Sequence, residues 1–362
     1  MSMDAGSLWG LLKQEGLVDG EAPRDTVATT PWYVRTMLGI AGWIGAMFLM
    51  GFVGAGFAFV MKSAAAALVV GGSLCAVATF MFRTRAHGDF FSQFAFALSL
   101  AGQMLIVTGL MQIGSSQISS IALVFALLQA ALFLLMPNFI HRVWSAMVGS
   151  GALVMALSHW GFHPYMQAGM FAAFSWAWLN EFSHARRSAQ IRAIGYGLVL
   201  LLIADLIMGS AAGMTRSLWL DRAGTPLLGG ALAPWIAAAL IGATIIWVVW
   251  KLLLREGVAL TKEPGLAAIG GAVLVALVSI KAPGIGVTMV ILLIGFANGN
   301  RVLIGLGIIS LLAYLSHYYY MLQITLLEKS VLLFCTGIAL IAVRIALKSR
   351  WPVEQRTRAP HA

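Results

Sequence analysis

Charge is the scarcest property of this sequence. Only 10% of its 362 residues are Asp, Glu, Lys or Arg, where a soluble globular domain carries about 25%. Acids are rarest, 13 against 23 Lys and Arg. Such a chain cannot take water as its main solvent. Cysteine is almost missing: Cys75 and Cys335 both lie inside apolar runs, so neither a disulfide framework nor metal-ligand spacing is available from them. The soluble catalytic signatures are missing as well, with no G-x-x-x-x-G-K-[ST], H-E-x-x-H or G-x-S-x-G. A Ser/His/Asp set can be drawn from many residues, but nothing fixes them together. The first 35 residues carry Asp4, Glu15, Asp19, Glu21 and Asp25 and no apolar core or small-residue cleavage site, so no secretory signal is expected. No cofactor and no metal is expected either.

What is present is apolar sequence, 60% of the chain. Runs of about 18 or more residues with few charges read as membrane-spanning helices. The expectation is an all-α membrane protein, a bundle of about twelve spans: 36–60, 63–82, 91–111, 117–136, 142–159, 164–182, 193–213, 231–250, 265–281, 284–299, 302–318 and 330–348. The net charge of +10 does not indicate nucleic acid, because the basic residues are scattered singly between apolar runs. They follow the positive-inside rule instead. With the N-terminus inside, eighteen of the 23 Lys and Arg fall on the cytoplasmic side. Both termini are therefore expected in the cytoplasm, with localisation in a bacterial inner membrane. Spans nine and ten are the weakest, barely ~22–26 Å at ~1.5 Å per residue against a core of ~30 Å. They are joined through Lys281–Ala–Pro–Gly284 and read as a tight hairpin or a broken re-entrant pair.

Outside the spans, residues 1–35 form a cytoplasmic amphipathic helix (2–16, ended by Gly16) and a linker, and 349–362 a basic tail expected to be disordered. Pro31–Trp–Tyr–Val–Arg35 marks the membrane surface with aromatics at headgroup depth. The basic loop Ser183–Arg192 falls midway along the chain.

Few residues stand out chemically. Asp205 is the one acid near the middle of a span, where it costs roughly 2.5–3.5 kcal/mol to insert. It is either a proton or cation site or a hydrogen-bonded pin between helices. Gln103, Gln129 and Asn298 are amides within or at the ends of spans, suited to interhelical bonds of ~0.6 kcal/mol. Gln103 follows small neighbours in Leu98–Ser–Leu–Ala–Gly–Gln103 and can pack closely or line a cavity. His159 and His163 have helical metal-ligand spacing, but Pro164 and the flanking Trp160, Phe162 and Tyr165 read as an interfacial belt. Gly295-x-x-x-Gly299 and Gly209-x-x-x-Gly213 are small-residue packing signals. The densest polar run lies near the end: Asn298–Gly–Asn–Arg301, one span, then His317, Tyr318, Tyr319 and Tyr320, followed by Gln323, Thr325, Glu328, Lys329 and Ser330. Three consecutive tyrosines on a helix point in different directions, so not all can face lipid headgroups. The run reads as an aromatic belt or as a polar rim for a pore or a partner.

These residues resemble an uncharacterised family of bacterial inner-membrane proteins known as a domain of unknown function. The resemblance rests on Pro31–Trp–Tyr–Val–Arg35 leading into Gly39–x–x–Gly–Trp43, on Leu98–Ser–Leu–Ala–Gly–Gln103, on Gly299–Asn–Arg301, and on Tyr318–Tyr–Tyr–x–Leu–x–x–Thr–Leu–Leu–x–Lys–Ser330. It implies a polytopic membrane protein encoded beside a smaller membrane-anchored protein with a Gly-Asp-Tyr-x-x-Leu-x-Tyr motif. It supplies no activity and no catalytic residues. Two functions follow as expectations: a non-enzymatic component of a membrane complex with such a partner, or a small-solute or proton-coupled permease using Asp205.

Overall fold

The computed structural model describes residues 60–84, 89–114, 118–181, 187–211 and 230–321, with isolated positions between 9 and 51 and between 327 and 345. Ten helices of 14 residues or more account for nearly all of it, and no strand occurs among the described residues. They are α1 Ala64–Arg83, α2 Asp89–Ile113, α3 Ile118–Leu135, α4 Phe139–Leu157, α5 Met166–Leu179, α6 Ser188–Ala211, α7 Ala233–Arg255, α8 Glu263–Lys281, α9 Pro283–Ala297 and α10 Arg301–Met321. Ten of the twelve expected spans coincide with these helices. The spans at 36–60 and 330–348 lie largely outside the described residues, as do most of residues 1–35, the 214–230 loop and the tail 349–362. Near the start, Trp9–Gly10 and Lys13–Gln14 are helical, and Gly16 turns with φ 68°, as its place at the helix end requires.

Eight helical runs are long and apolar enough to cross a membrane, while α9 is shorter. One of the eight is the 41-residue run Phe139–Leu179. Straight, it would measure ~60 Å, twice a hydrocarbon core. It is not straight. Gly161 takes φ 83°, a conformation that costs glycine nothing, and Pro164 opens the next turn. A Cβ on Gly197 of α6 would touch Val143 and Met147 of α4, and one on Gly151 would touch Leu201, so α4 and α6 run the same way. A Cβ on Gly195 would strike Trp178, so the end of α5 meets the start of α6. The chain therefore reverses at Gly161, giving two helices where sequence expects spans 142–159 and 164–182.

Local chemistry sets the helix ends. Ser63 accepts from Ala66 N–H at 3.4 Å and Asn138 from His141 N–H at 3.1 Å, both as N-caps. Pro234, Pro264 and Pro283 occupy first turns of α7, α8 and α9, where proline's missing N–H is not needed. Inside the helices hydroxyls return to their own backbone four residues back: Thr108 to Met104, Ser175 to Phe171, Thr244 to Leu240, Ser279 to Val275.

The chain divides into two compact units, Met1–Gly109 and Leu110–Ala362. In the first, α1 and α2 pack antiparallel through glycine. A Cβ on Gly71 would lie 2.7 Å from Gly102 O, and one on Gly109 3.0 Å from Ala64 O. In the second, a core of Phe171, Phe174, Trp178, Leu202, Ile245 and Ile291 joins α5, α6, α7 and α9. The α8–α9 pair is a hairpin turning at Ala282. Gly242 faces Ala276, Gly286 faces Ile245, and Gly284 faces Tyr314. Counting from these contacts at ~1.5 Å per residue, the hairpin tip ends roughly 5–12 Å short of the ends of α7 and α10. The weak spans thus form a short hairpin whose tip is recessed beside its neighbours.

Candidate functional site

The residues that stood out in sequence separate into four places. Gln103 belongs to the first unit. It is buried and donates through Nε2 to Ser99 Oγ at 3.0 Å, while the Ser99 carbonyl accepts from Cys75 Sγ at 3.8 Å. A Cβ on the adjoining Gly102 would lie 2.8 Å from Cys75 Sγ. Gly102, the neighbour of Gln103, therefore sits on a helix seam so tight that backbone meets backbone.

Asp205 is half-buried on α6, close to the buried Leu202 and Leu206. It lies seventeen residues, ~26 Å along the axis, from Ser188 at the start of α6. His159 is exposed and His163 half-buried in the Gly161 reversal. Among the described residues no group of three His, Cys, Asp or Glu is arranged to hold a metal ion.

The tyrosine run lies at the far end of α10, ~26 Å from Arg301. It does not act as one surface. Tyr318 stacks on Tyr314 with ring centroids 6.1 Å apart, and Tyr314 itself fills the space left by Gly284, where a Cβ would overlap its ring. Tyr319 meets Tyr320 edge-on at 5.8 Å. Tyr320 is 78% exposed, His317 is half-buried, and Glu328 and Ser330 are exposed. Thr325 and Lys329 lie outside the described residues.

The fourth place is the one sequence reading located least well. At the opposite end of α10, the turn Asn298–Arg301 closes a polar clasp on three other helices, α5, α6 and α7. Asn298 accepts from an Arg255 N–H of α7 at 2.8 Å and donates to the Trp178 carbonyl of α5 at 3.2 Å. The hydroxyl of Tyr196, on α6, lies 2.8 Å from Asn300 Nδ2 and 3.0 Å from its Oδ1. The same Oδ1 caps α10, accepting from Val302 and Leu303 N–H, each at 3.1 Å. Tyr196 also receives the edge of Trp178 at 5.0 Å and of Phe139, from α4, at 6.1 Å. Beside it Glu181, 2% exposed, accepts from Arg192 Nε and Nη2, both at 2.8 Å. A carboxylate so buried persists only when paired and hydrogen-bonded. Gly299 makes the turn possible with φ 63°. This also corrects the packing reading of Gly295-x-x-x-Gly299: Gly295 packs against Ile304, whereas a Cβ on Gly299 would meet nothing.

Asn298 and Arg301 are thus placed in one turn, Asn298 bonded and Arg301 exposed. Trp178, Glu181, Tyr196 and Arg255 escaped sequence reading, while Asn300 and Arg192 were read only as members of the Asn298–Arg301 run and of the basic loop. One signal was present, a lone acid, Glu181, beside a loop of arginines.

Apolar helices of spanning length, backbone-satisfied hydroxyls and interfacial aromatics define a multi-pass integral membrane protein. The chain belongs to the family described as Domain of unknown function (DUF4401), whose family model matches residues 31–350. No curated protein and no solved structure matches the chain.

Proposed function

We propose that the protein is a non-enzymatic component of a bacterial inner-membrane complex, with both termini in the cytoplasm. On this reading the Tyr318–Ser330 element is the extracytoplasmic edge on which a partner membrane protein docks. The observation that carries it is the division of the tyrosine run. Tyr314 is packed against Gly284 of α9 and stacks on Tyr318 of its own helix, while Tyr320 is 78% exposed, with Leu327, Glu328 and Ser330 exposed beyond it. Exposed tyrosine is enriched at interface centres, and charged side chains such as Glu328 belong to the polar rim around them. The partner is the membrane-anchored Gly-Asp-Tyr-x-x-Leu-x-Tyr protein implied by the family resemblance. Recovery of that protein in a mild-detergent pull-down, and its loss with Tyr320→Ser, supports this function. Equal recovery with both forms, or none with the wild type, overturns it.

Asp205 supports a second reading, a proton-coupled permease. An acid half-buried on an apolar helix of spanning length changes charge only at a cost, so it is a functional site by default. Against it stand the hydroxyls of α5, α7 and α8, which bond along their own helices and not across a passage.

A further inference from the structure

Four cations lie on the elements that meet at the turn Asn298–Arg301. Arg255 reaches it from α7, bonded to Asn298 yet exposed. Arg301 follows Asn300 directly and is exposed. Arg192 is one helical turn from Tyr196 and 49% exposed, although bonded to Glu181. Lys251, one turn back from Arg255, is exposed and holds its ammonium 5.4 Å from the centroid of Trp250. Two carboxylates adjoin these four cations: buried Glu181 and exposed Glu256. At the crest of the turn a Cβ on Gly299 would meet nothing within 4 Å, so the turn is open there.

The neighbours of these cations are apolar and exposed. Leu254 precedes Arg255, Val302 follows Arg301, and Phe296 lies two residues before Asn298, all more than half exposed. Cations beside an exposed apolar wall match an amphiphile with an anionic head. We propose that Arg255 and Arg301, across the Asn298–Arg301 turn, bind the phosphodiester of an anionic phospholipid in the leaflet at that end, its acyl chains lying along Leu254, Phe296 and Val302. A guanidinium offers paired donors matched to phosphate oxygens, and Trp250 suits headgroup depth. The site does not depend on the partner reading above.

The test uses the full chain in dodecyl maltoside, titrated with phosphatidylglycerol or phosphatidylcholine and read by native mass spectrometry. The wild type is expected to retain one phosphatidylglycerol under activation that strips phosphatidylcholine. Arg301→Gln weakens retention about 5-fold, and Arg255→Gln with Arg301→Gln about 30-fold, from about 1 kcal/mol per basic contact. Lys62→Gln, exposed in the first unit, leaves retention unchanged. Arg301→Gln keeps the test interpretable if the double variant folds poorly, since Arg301 is exposed at a helix start. Equal retention of the two lipids, or wild-type retention by Arg301→Gln, overturns the proposal. Displacement of the lipid by equimolar inorganic phosphate reassigns the anion to a soluble source and also overturns it.

Discussion

Asn300→Ala should be among the most costly single polar substitutions in the second unit, and its cost can be worked out in parts. Oδ1 of Asn300 caps α10 through Val302 and Leu303; losing a cap costs about 1 kcal/mol, within 0.5–2. The same side chain bonds Tyr196 Oη, 104 positions away in sequence, a bond of about 0.6 kcal/mol in a membrane. The expected total is therefore about 1.6 kcal/mol. Tyr196→Phe removes only the hydroxyl and leaves the cap, so it should cost about 0.6 kcal/mol. If the two side chains act as one unit, the double variant costs no more than Asn300→Ala alone, a coupling of about 0.6 kcal/mol. Asn300→Asp keeps an acceptor for the cap and should fall between wild type and Asn300→Ala. Unfolding the purified chain by titrating dodecyl sulfate into dodecyl maltoside micelles reads these differences through its 12 tryptophans. Strict additivity of the two substitutions, or a cost below about 0.3 kcal/mol for Asn300→Ala, refutes the clasp.

Other outcomes follow from the packing and from Asp205. Gly195→Ala places a Cβ 2.6 Å from Trp178 Nε1, and the buried indole has little room to yield. Overpacking of this kind costs about 1–3 kcal/mol, measurable in the same titration; an unchanged midpoint would contradict the packing of α5 on α6. Gly102→Ala forces a Cβ to 2.7 Å from Gly71 O and should destabilise the first unit by a similar amount. Gly270→Ala, with nothing within 4 Å, should be neutral or slightly stabilising by helix propensity. Asp205→Asn keeps size and hydrogen bonding while removing the charge. In reconstituted vesicles it should leave folding intact and reveal no proton flux that depended on the acid; loss of a wild-type flux would favour the permease.

Helix positions were legible to within about five residues, because the apolar runs are long and their ends carry caps and prolines. The expected spans 63–82 and 117–136 match α1 and α3 within a residue. The close approach at Gly102–Gln103 was legible from small neighbours. The clasp was not. Periodicity says how deep Tyr196, Arg255 and Asn298 lie, but not which helices stand beside one another, and that decides their bonds. Glycines misled for a related reason. Gly295 and Gly299 share a spacing, yet Gly299 lies past the helix end, where its value is a positive φ and not a small surface. The tyrosine run was legible as divided, since consecutive helical residues diverge by ~100°, but the packing of Tyr314 on Gly284 and its stack on Tyr318 were not.

The partner-docking reading is tested most directly by a photo-crosslinking residue at Tyr320 or Ser330 in native membranes, with Trp235, exposed on α7, as the lipid-facing control. The expected result is one adduct of the same mass from both rim positions, absent from the control, in which mass spectrometry identifies a membrane-anchored protein bearing the Gly-Asp-Tyr-x-x-Leu-x-Tyr motif. Lipid adducts alone from both rim positions would contradict it.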